Sequence, residues 1–253
     1  MSGESFPAAA TALIQGASRG IGLALVRALI DDARFDRVIA TCRDPGAASS
    51  LSAIDSDRLA IRELDVTDAA SVRRVADELA EAGIGLSLLI NVAGVLHGER
   101  FGPEKRFEDI DAAAFRQVYA VNAIGPALML QSFHGLMATE GKAVFAAISA
   151  RVGSIGDNRI GGWYAYRSSK AALNQVLKTA SIEFARRRKN VIVAALHPGT
   201  TDTGLSAPFQ ANVPEGKLFP VERTAGYLLS VIDGLDRDHS GGFFAWDGQS
   251  IEW

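Results

Sequence analysis

One cysteine, Cys42, is all that the 253 residues contain, so no disulfide can form within the chain. That fits a reducing compartment. Cys42 follows a predicted strand, where the ordinary role of a free thiol is that of a small buried apolar residue. An excess of either charge is lacking too: 26 Lys and Arg stand against 29 Asp and Glu, a net charge of −3. Nothing in that balance calls for nucleic acid or an anionic membrane as partner. No stretch reaches the ~18 apolar residues of a membrane span. Residues 1–10 carry no Lys or Arg, and the apolar run behind them is short, which argues against a secretory signal. The expectation is a soluble cytoplasmic protein with no membrane, nucleic-acid or metal partner.

What is present suits a folded enzyme-sized unit. Apolar residues make up 48% and charged residues 22%, enough to build a core. A short apolar run, residues 11–15, ends at Gly16-Ala17-Ser18-Arg19-Gly20-Ile21-Gly22. Leu23, Leu25, Val26, Leu29 and Ile30 then recur at helical spacing. Strand, glycine-rich turn and helix in that order is the context of a nucleotide-binding loop. Glycines let the backbone approach a pyrophosphate, and the helix N-terminus points free N–H groups at it. The spacing is G-x-x-x-G-x-G rather than the commoner G-x-G-x-x-G, and a glycine turn without a ligand is the alternative.

Residues 37–41 read as a second strand. Its end chooses between the two nicotinamide cofactors, because an acid there binds the ribose 2′-hydroxyl and an Arg a 2′-phosphate. Cys42 stands where the acid would be and Arg43 follows, with Arg19 as a second guanidinium, so NADP is favoured over NAD. Asp44, one residue late, reads as a turn former before Pro45. Further strands are predicted at 59–64, 86–90, 143–148, 191–196 and 241–246. Helices are predicted at 71–82, 112–133, 166–187 and 221–235. The alternation predicts one domain over 1–253, an α/β doubly wound parallel sheet of seven strands with helices on both faces. Within 112–133, Asn122, Gly125 and Pro126 are poor helix formers, a local conflict that marks a kink or a site. Residues 199–220 hold several Pro, Gly and Asn and read as a lid loop.

Tyr166 and Lys170, four apart, share one helix face. A phenol keeps its proton until pH ~10. A neighbouring ammonium lowers that value, which would let Tyr166 exchange protons nearer neutrality. Alone, the pair reads as two solvated side chains on an amphipathic helix, and other stretches must agree before it means chemistry. Ser149, at the carboxyl end of a central strand, stands where open α/β sheets bind ligands.

Taken together, Gly16-x-x-x-Gly20-Ile21-Gly22, Asn91-x-Ala93-Gly94, Ser149 and Tyr166-x-x-x-Lys170, with Asn122 and Pro198-Gly199, resemble the classical short-chain dehydrogenase/reductase family. The ending, from Gly242-Phe243-Phe244 to Trp253, is similar to the branch of C-factor and sniffer-type carbonyl reductases. The chain departs from the family at Gln15, usually Thr, and at Val92, often a second Asn. The resemblance implies a Rossmann-type sheet in the order 3-2-1-4-5-6-7 and hydride transfer between NAD(P)(H) and a carbonyl or alcohol carbon. It implies Tyr166 as general acid, Lys170 lowering its pKa and binding the nicotinamide ribose, Ser149 binding the substrate oxygen, and Asn122 holding a water. It places the cofactor on Gly16, Ser18, Arg19, Gly20, Ile21, Gly22, Arg43, Asp65, Val66, Asn91, Ala93, Gly94, Pro198, Thr201 and Thr203, besides Tyr166 and Lys170. It implies a small carbonyl or alcohol substrate and a homodimer or homotetramer formed through the two long helices. NADPH-dependent carbonyl reduction is the leading expectation. A cofactor-binding signalling protein of C-factor type is the alternative, and an epimerase or dehydratase a weaker one.

Overall fold

A computed structural model describes residues 5–253; residues 1–4, part of the stretch read for a secretory signal, lie outside the described residues. Seven strands form the main sheet: β1 (Ala10–Gln15), β2 (Phe35–Cys42), β3 (Leu59–Glu63), β4 (Leu88–Asn91), β5 (Ala143–Ile148), β6 (Val191–His197) and β7 (Gly242–Ala245). All are parallel, in the order β3-β2-β1-β4-β5-β6-β7. The order reverses between β1 and β4, whose last residues Gln15 and Asn91 are paired. At such a switch point the crossovers leave in opposite directions and open a crevice at the strands' carboxyl ends.

Parallel strands buried on both faces need an apolar residue at nearly every position, and β5 and β6 are buried almost throughout. Successive side chains go to opposite faces. Ile14, Val38, Ile90 and Val144 pack with Leu25 and Leu29 of α1 (Gly20–Asp31) and with Leu228 and Ile232 of α6 (Val221–Gly234). Leu13, Ile39, Leu89 and Phe145 pack on the other face. Their partners there are Val75 of α2 (Ala69–Glu81), Phe133 of α4 (Gly125–Phe133) and Leu173 and Leu177 of α5 (Tyr164–Arg187).

The segment read as one helix over 112–133 is divided. After α3 (Ala112–Tyr119) comes a π-helical turn, Ala120–Ile124, and then α4. The Gly125 N–H reaches back to the Ala120 carbonyl, five residues away. Pro126 has no N–H to give the carbonyl of Asn122 four residues earlier, so an unbroken α-helix is impossible there. Gly125 is required for packing as well: a Cβ would lie 2.7 Å from Val66 Cγ2. Residues 199–220, read as an irregular loop, contain a short parallel ribbon of Thr200–Thr201 with Leu218–Phe219 and a 3-10 turn at Ala207–Asn212. Among the described residues, no helix is long and apolar enough to cross a membrane, and no group of three His, Cys, Asp or Glu is placed to hold a metal ion.

Candidate active site

The turn after β1 is held by backbone contacts. The N–H groups of Gly16 and Ala17 both donate to the Thr41 carbonyl near the end of β2. Gly16 has φ +83°, and a Cβ there would come 2.7 Å from the Ala93 nitrogen. A Cβ on Gly22 would lie 2.2 Å from the Gly16 carbonyl oxygen. These two glycines therefore let three backbone segments meet, namely the turn, the first turn of α1 and the loop after β4. Asn91 closes β4, donating from Nδ2 to the Ala146 carbonyl at 3.3 Å, while its buried Oδ1 has no partner.

Whether this turn fits a dinucleotide is decided by its charge. Arg19 is the N-cap of α1, no side chain caps that helix, and no acid sits in its first turn. The positive dipole end thus faces the crevice unneutralised. Arg19 and Arg43 are exposed beside it. Asp44 spends Oδ1 on the Ala47 N–H, as a turn former does. Ser18 is half-buried in the turn, and Ile21 packs against the α1 face of the core. A uncapped helix end with two free guanidinium groups suits an anionic, phosphate-bearing cofactor, so the residues present fit NAD(P).

At the crevice wall, Asp65 accepts from Thr67 N–H and Oγ1 at 2.8 and 2.7 Å, while Val66 is buried against Gly125. Asp68 rather than Asp65 caps α2, accepting from Ala70 N–H. The departure at Gln15 has a structural reading: its Oε1 accepts from Ala93 N–H at 3.3 Å, which ties the loop after β4 to β1.

Along α5, Tyr166 and Lys170 lie on the buried face, 8% and 3% exposed. Lys170 Nζ donates to the Ile148 carbonyl at 2.7 Å, and lies 5.8 Å from the Tyr166 ring centroid. Gly153 makes this approach possible, since a Cβ there would meet Lys170 Cβ at 2.7 Å. Ser149 follows Ile148 directly. Its Oγ lies 2.6 Å from Oδ1 of Asn174, the next polar residue on the Tyr166–Lys170 face. One helix face is thus bonded to two successive residues at the end of β5. Tyr164, a competing phenol in the sequence, packs against Phe107 and lies two residues, about 200° of helix turn, away from Tyr166.

Asn122 is fully buried in the π-turn. Its Oδ1 accepts from Val95 N–H and its Nδ2 donates to the Val95 carbonyl, both at 2.8 Å, and to Ser169 Oγ at 3.1 Å. The side chain clamps the loop after β4 to α5 and has no donor left over for a water. The carbonyl of Asn122, denied a donor by Pro126, is the group suited to one. A Cβ on Gly94 would stand 3.6 Å from both Asn122 Oδ1 and Lys170 Nζ, so these three residues share one spot.

The electrostatics run against the expectation that Lys170 lowers the Tyr166 pKa. Burial pushes the phenol up to about 12 and the ammonium down to about 7. Loss of water disfavours the charged form of each, phenolate and ammonium alike. His197, whose backbone ends β6 beside Ser149, is pushed down to about 4 by burial and then by Arg151, and its buried Nδ1 has no partner.

The segment 199–220 crosses this wall. Pro198 leads into Gly199, which has φ +74° and lies against Phe219 and Trp246. Thr201 is buried and shares a hydrogen bond with Thr224 at 2.9 Å. Thr203 Cγ2 lies beside Gly20, and Leu205 beside Gly94. His97 Nε2 meets the Leu205 carbonyl at 3.2 Å, and Phe209 packs on Trp163 with ring centroids 5.0 Å apart. Trp163, in turn, meets the Tyr166 ring edge-on at 6.2 Å. Sequence reasoning passed over Asn174 altogether and noted Gln15 without its partner Ala93. The first was findable, since Lys170 plus four is the next position on the same helix face.

A family model described as short chain dehydrogenase matches residues 10–214. The chain is 33% identical, over 96% of its length and 99% of the relative's, to 1-hydroxy-2-glutathionyl-2-methyl-3-butene dehydrogenase of Rhodococcus sp. strain AD45. It is 32% identical to C-signal of Myxococcus xanthus, over 66% of this chain and 93% of that protein. Among solved structures it resembles an NADPH-bound carbonyl reductase from chicken fatty liver, with a TM-score of 0.87, 31% identity, and coverage of 100% and 96% of the two chains. The sheet order agrees with these matches, and the chain belongs to the short-chain dehydrogenase family, oxidoreductases that act on a CH–OH group or its carbonyl with NAD(P).

Proposed function

We propose that the protein is an NADPH-dependent carbonyl reductase, acting on an aldehyde or ketone. The observation that carries this reading is the buried face of α5, where Tyr166 and Lys170 lie one helical turn apart and Lys170 Nζ bonds the Ile148 carbonyl, next to Ser149. Bound NADPH supplies the hydride. Gly16, Gly20, Ile21 and Gly22 would line its pyrophosphate with the α1 N-terminus, and Ser18, Arg19 and Arg43 would hold the adenosine 2′-phosphate. Asp65 and Val66 would hold the adenine, Thr201 and Thr203 would contact the nicotinamide amide and the phosphates, and Asn91, Ala93, Gly94 and Pro198 would complete the cofactor site. Ser149 holds the substrate oxygen as negative charge grows on it. Tyr166 gives that oxygen its phenolic proton, which burial keeps on the ring until needed. Lys170, close to its titration point at neutral pH, passes a proton on to the phenol. The carbonyl of Asn122 holds the water that resupplies it.

Residues 199–220 act as the lid in this reading, reaching from Gly20 past Gly94 to Trp163. His97, Trp163 and Phe209 give the substrate an apolar, aromatic surround. The test is an NADPH oxidation assay across aldehydes, ketones and quinones, with NADH in parallel. The reading fails if no carbonyl is reduced, or if NADH is preferred. The name of the Rhodococcus relative adds glutathione-conjugated alcohols, with NADP+, to the panel. The likeness to C-signal favours one second reading, a signalling protein whose catalysis is incidental. A Tyr166→Phe protein that still supports the biological role in cells would favour that reading over the enzyme.

A further inference from the structure

Asn174 belongs to no part of the reaction described so far, yet it is 3% exposed and touches Ser149. As placed, Ser149 Oγ donates to Asn174 Oδ1 at 2.6 Å, and Asn174 Nδ2 has no partner. That arrangement has two costs. Both amide hydrogens lie buried without an acceptor, the rarer kind of unsatisfied group. Ser149 has a single proton, and it is committed to Asn174, so none is left for a substrate oxygen. An amide's oxygen and nitrogen have the same shape, and turning the group by 180° gives one amide hydrogen an acceptor in Ser149 Oγ and frees the serine proton, with Oδ1 taking the buried place Nδ2 now holds. Nδ2 then donates to Ser149 Oγ. The serine proton is then displaced from Asn174 and is available to a substrate oxygen.

We propose that Asn174 is a positioning residue for Ser149, donating from Nδ2 to Ser149 Oγ and thereby directing the serine proton at the oxygen to be reduced. Its place follows from the helix: Tyr166, Lys170 and Asn174 are spaced i, i+4 and i+8 on one face, aimed at the acid step, the proton supply and the oxygen site in turn. The surroundings favour this role. Leu173 and Leu177 are almost fully buried on either side, and no other donor to Ser149 Oγ exists among the described residues.

The inference rests on the carbonyl-reductase reading for its kinetic arm and is independent of it for its spectroscopic arm. The Asn174 side-chain amide, assigned by its disappearance in Asn174→Leu, is followed by 15N–1H spectroscopy in the protein without substrate. If Nδ2 donates to Ser149, Ser149→Ala shifts its bonded proton upfield. If Oδ1 accepts instead, the amide protons have no bond to lose and stay in place, which overturns the proposal. In turnover, Ser149→Ala costs about 10²–10³ in kcat as the loss of an oxyanion donor. Asn174→Leu costs about tenfold in kcat with NADPH affinity unchanged, as for an outer-shell partner. Because Asn174 acts only through Ser149, the double variant is no slower than Ser149→Ala alone. Losses that multiply, or an Asn174→Leu protein at wild-type kcat, refute it. A wild-type protein that reduces no carbonyl refutes the carbonyl-reductase reading instead, with the amide shift still reporting on Asn174.

Discussion

At the carboxyl end of β1 the functional groups are backbone atoms and exposed guanidinium groups; on α5 they are side chains held out of water. Around Gly16 and Gly22 the requirement is steric, since the turn, α1 and the loop after β4 meet too closely for a Cβ. Around Tyr166 and Lys170 the requirement is dielectric, since both groups are buried and both are pushed toward neutrality. A binding site for a large anion needs open access and fixed dipoles. A proton-transfer site needs water excluded, so that the few groups left determine where the proton goes. The two ends of one crevice meet these needs separately, and each can be broken without the other.

The largest effect is expected on the buried side. Tyr166→Phe removes the phenolic proton while keeping the ring that packs against Trp163. Turnover should fall about 10³-fold, within the range for a lost general acid, while NADPH still binds. Steady-state assays beside a fluorescence titration of NADPH check this. Near-normal kcat would mean that the proton comes from elsewhere.

On the open side, Gly22→Ala places a methyl group 2.2 Å from the Gly16 carbonyl, backbone against backbone, so the turn must move. Melting should report a loss of about 1–3 kcal/mol, the usual cost of overpacking, together with weakened binding of both NADPH and NADH. Arg43→Ala should be gentler and selective. It leaves the fold alone, weakens NADPH about tenfold, as for one charge-assisted hydrogen bond in an exposed setting, and leaves NADH where it was. Equal losses for the two cofactors would place Arg43 away from the 2′-phosphate.

The same division explains what was legible beforehand. Steric requirements leave marks in sequence. The glycine turn and the end of β1 follow from Gly16, Gly20 and Gly22 set between two apolar periods, whereas the sheet order comes from the family resemblance. The conflict at Asn122, Gly125 and Pro126 marked the π-turn without revealing its form, since a missing N–H at Pro126 has meaning only once its helical partner is known. Dielectric effects leave no such mark. The spacing of Tyr166 and Lys170 suggested an ammonium easing a phenol's ionisation, whereas burial raises the phenol and lowers the amine. Nor does spacing reveal that the Asn122 side chain is consumed by Val95, because those residues are 27 apart in the chain. Ser149 and Asn174, 25 apart, met for the same reason: β5 and α5 converge at the crevice, a product of tertiary packing alone.

The subtlest test is the pH dependence of stability, which isolates burial from every contact with cofactor. Lys170 titrates near 7 when folded and near 10.5 when unfolded, so between those values the unfolded chain binds the extra proton. Stability from this group is complete above pH 10.5 and is lost as pH falls to 7. Tyr166 acts oppositely at the alkaline end: folded near 12 and unfolded near 10, it contributes stability below pH 10 that is lost as pH rises to 12. His197, folded near 4 against an ordinary 6.5, adds a third slope, with stability lost as pH falls from 6.5 to 4. Denaturant melts of the cofactor-free protein should therefore show a rise from pH 7 toward 10 and a decline beyond it. Lys170→Met should flatten the rise, and Tyr166→Phe should remove the decline. Because the three windows scarcely overlap, each variant should erase one slope and spare the others. A melt that stays level from pH 7 to 10, unchanged by Lys170→Met, would mean that water reaches the amine and that the contrast between the two ends of the crevice is one of position only.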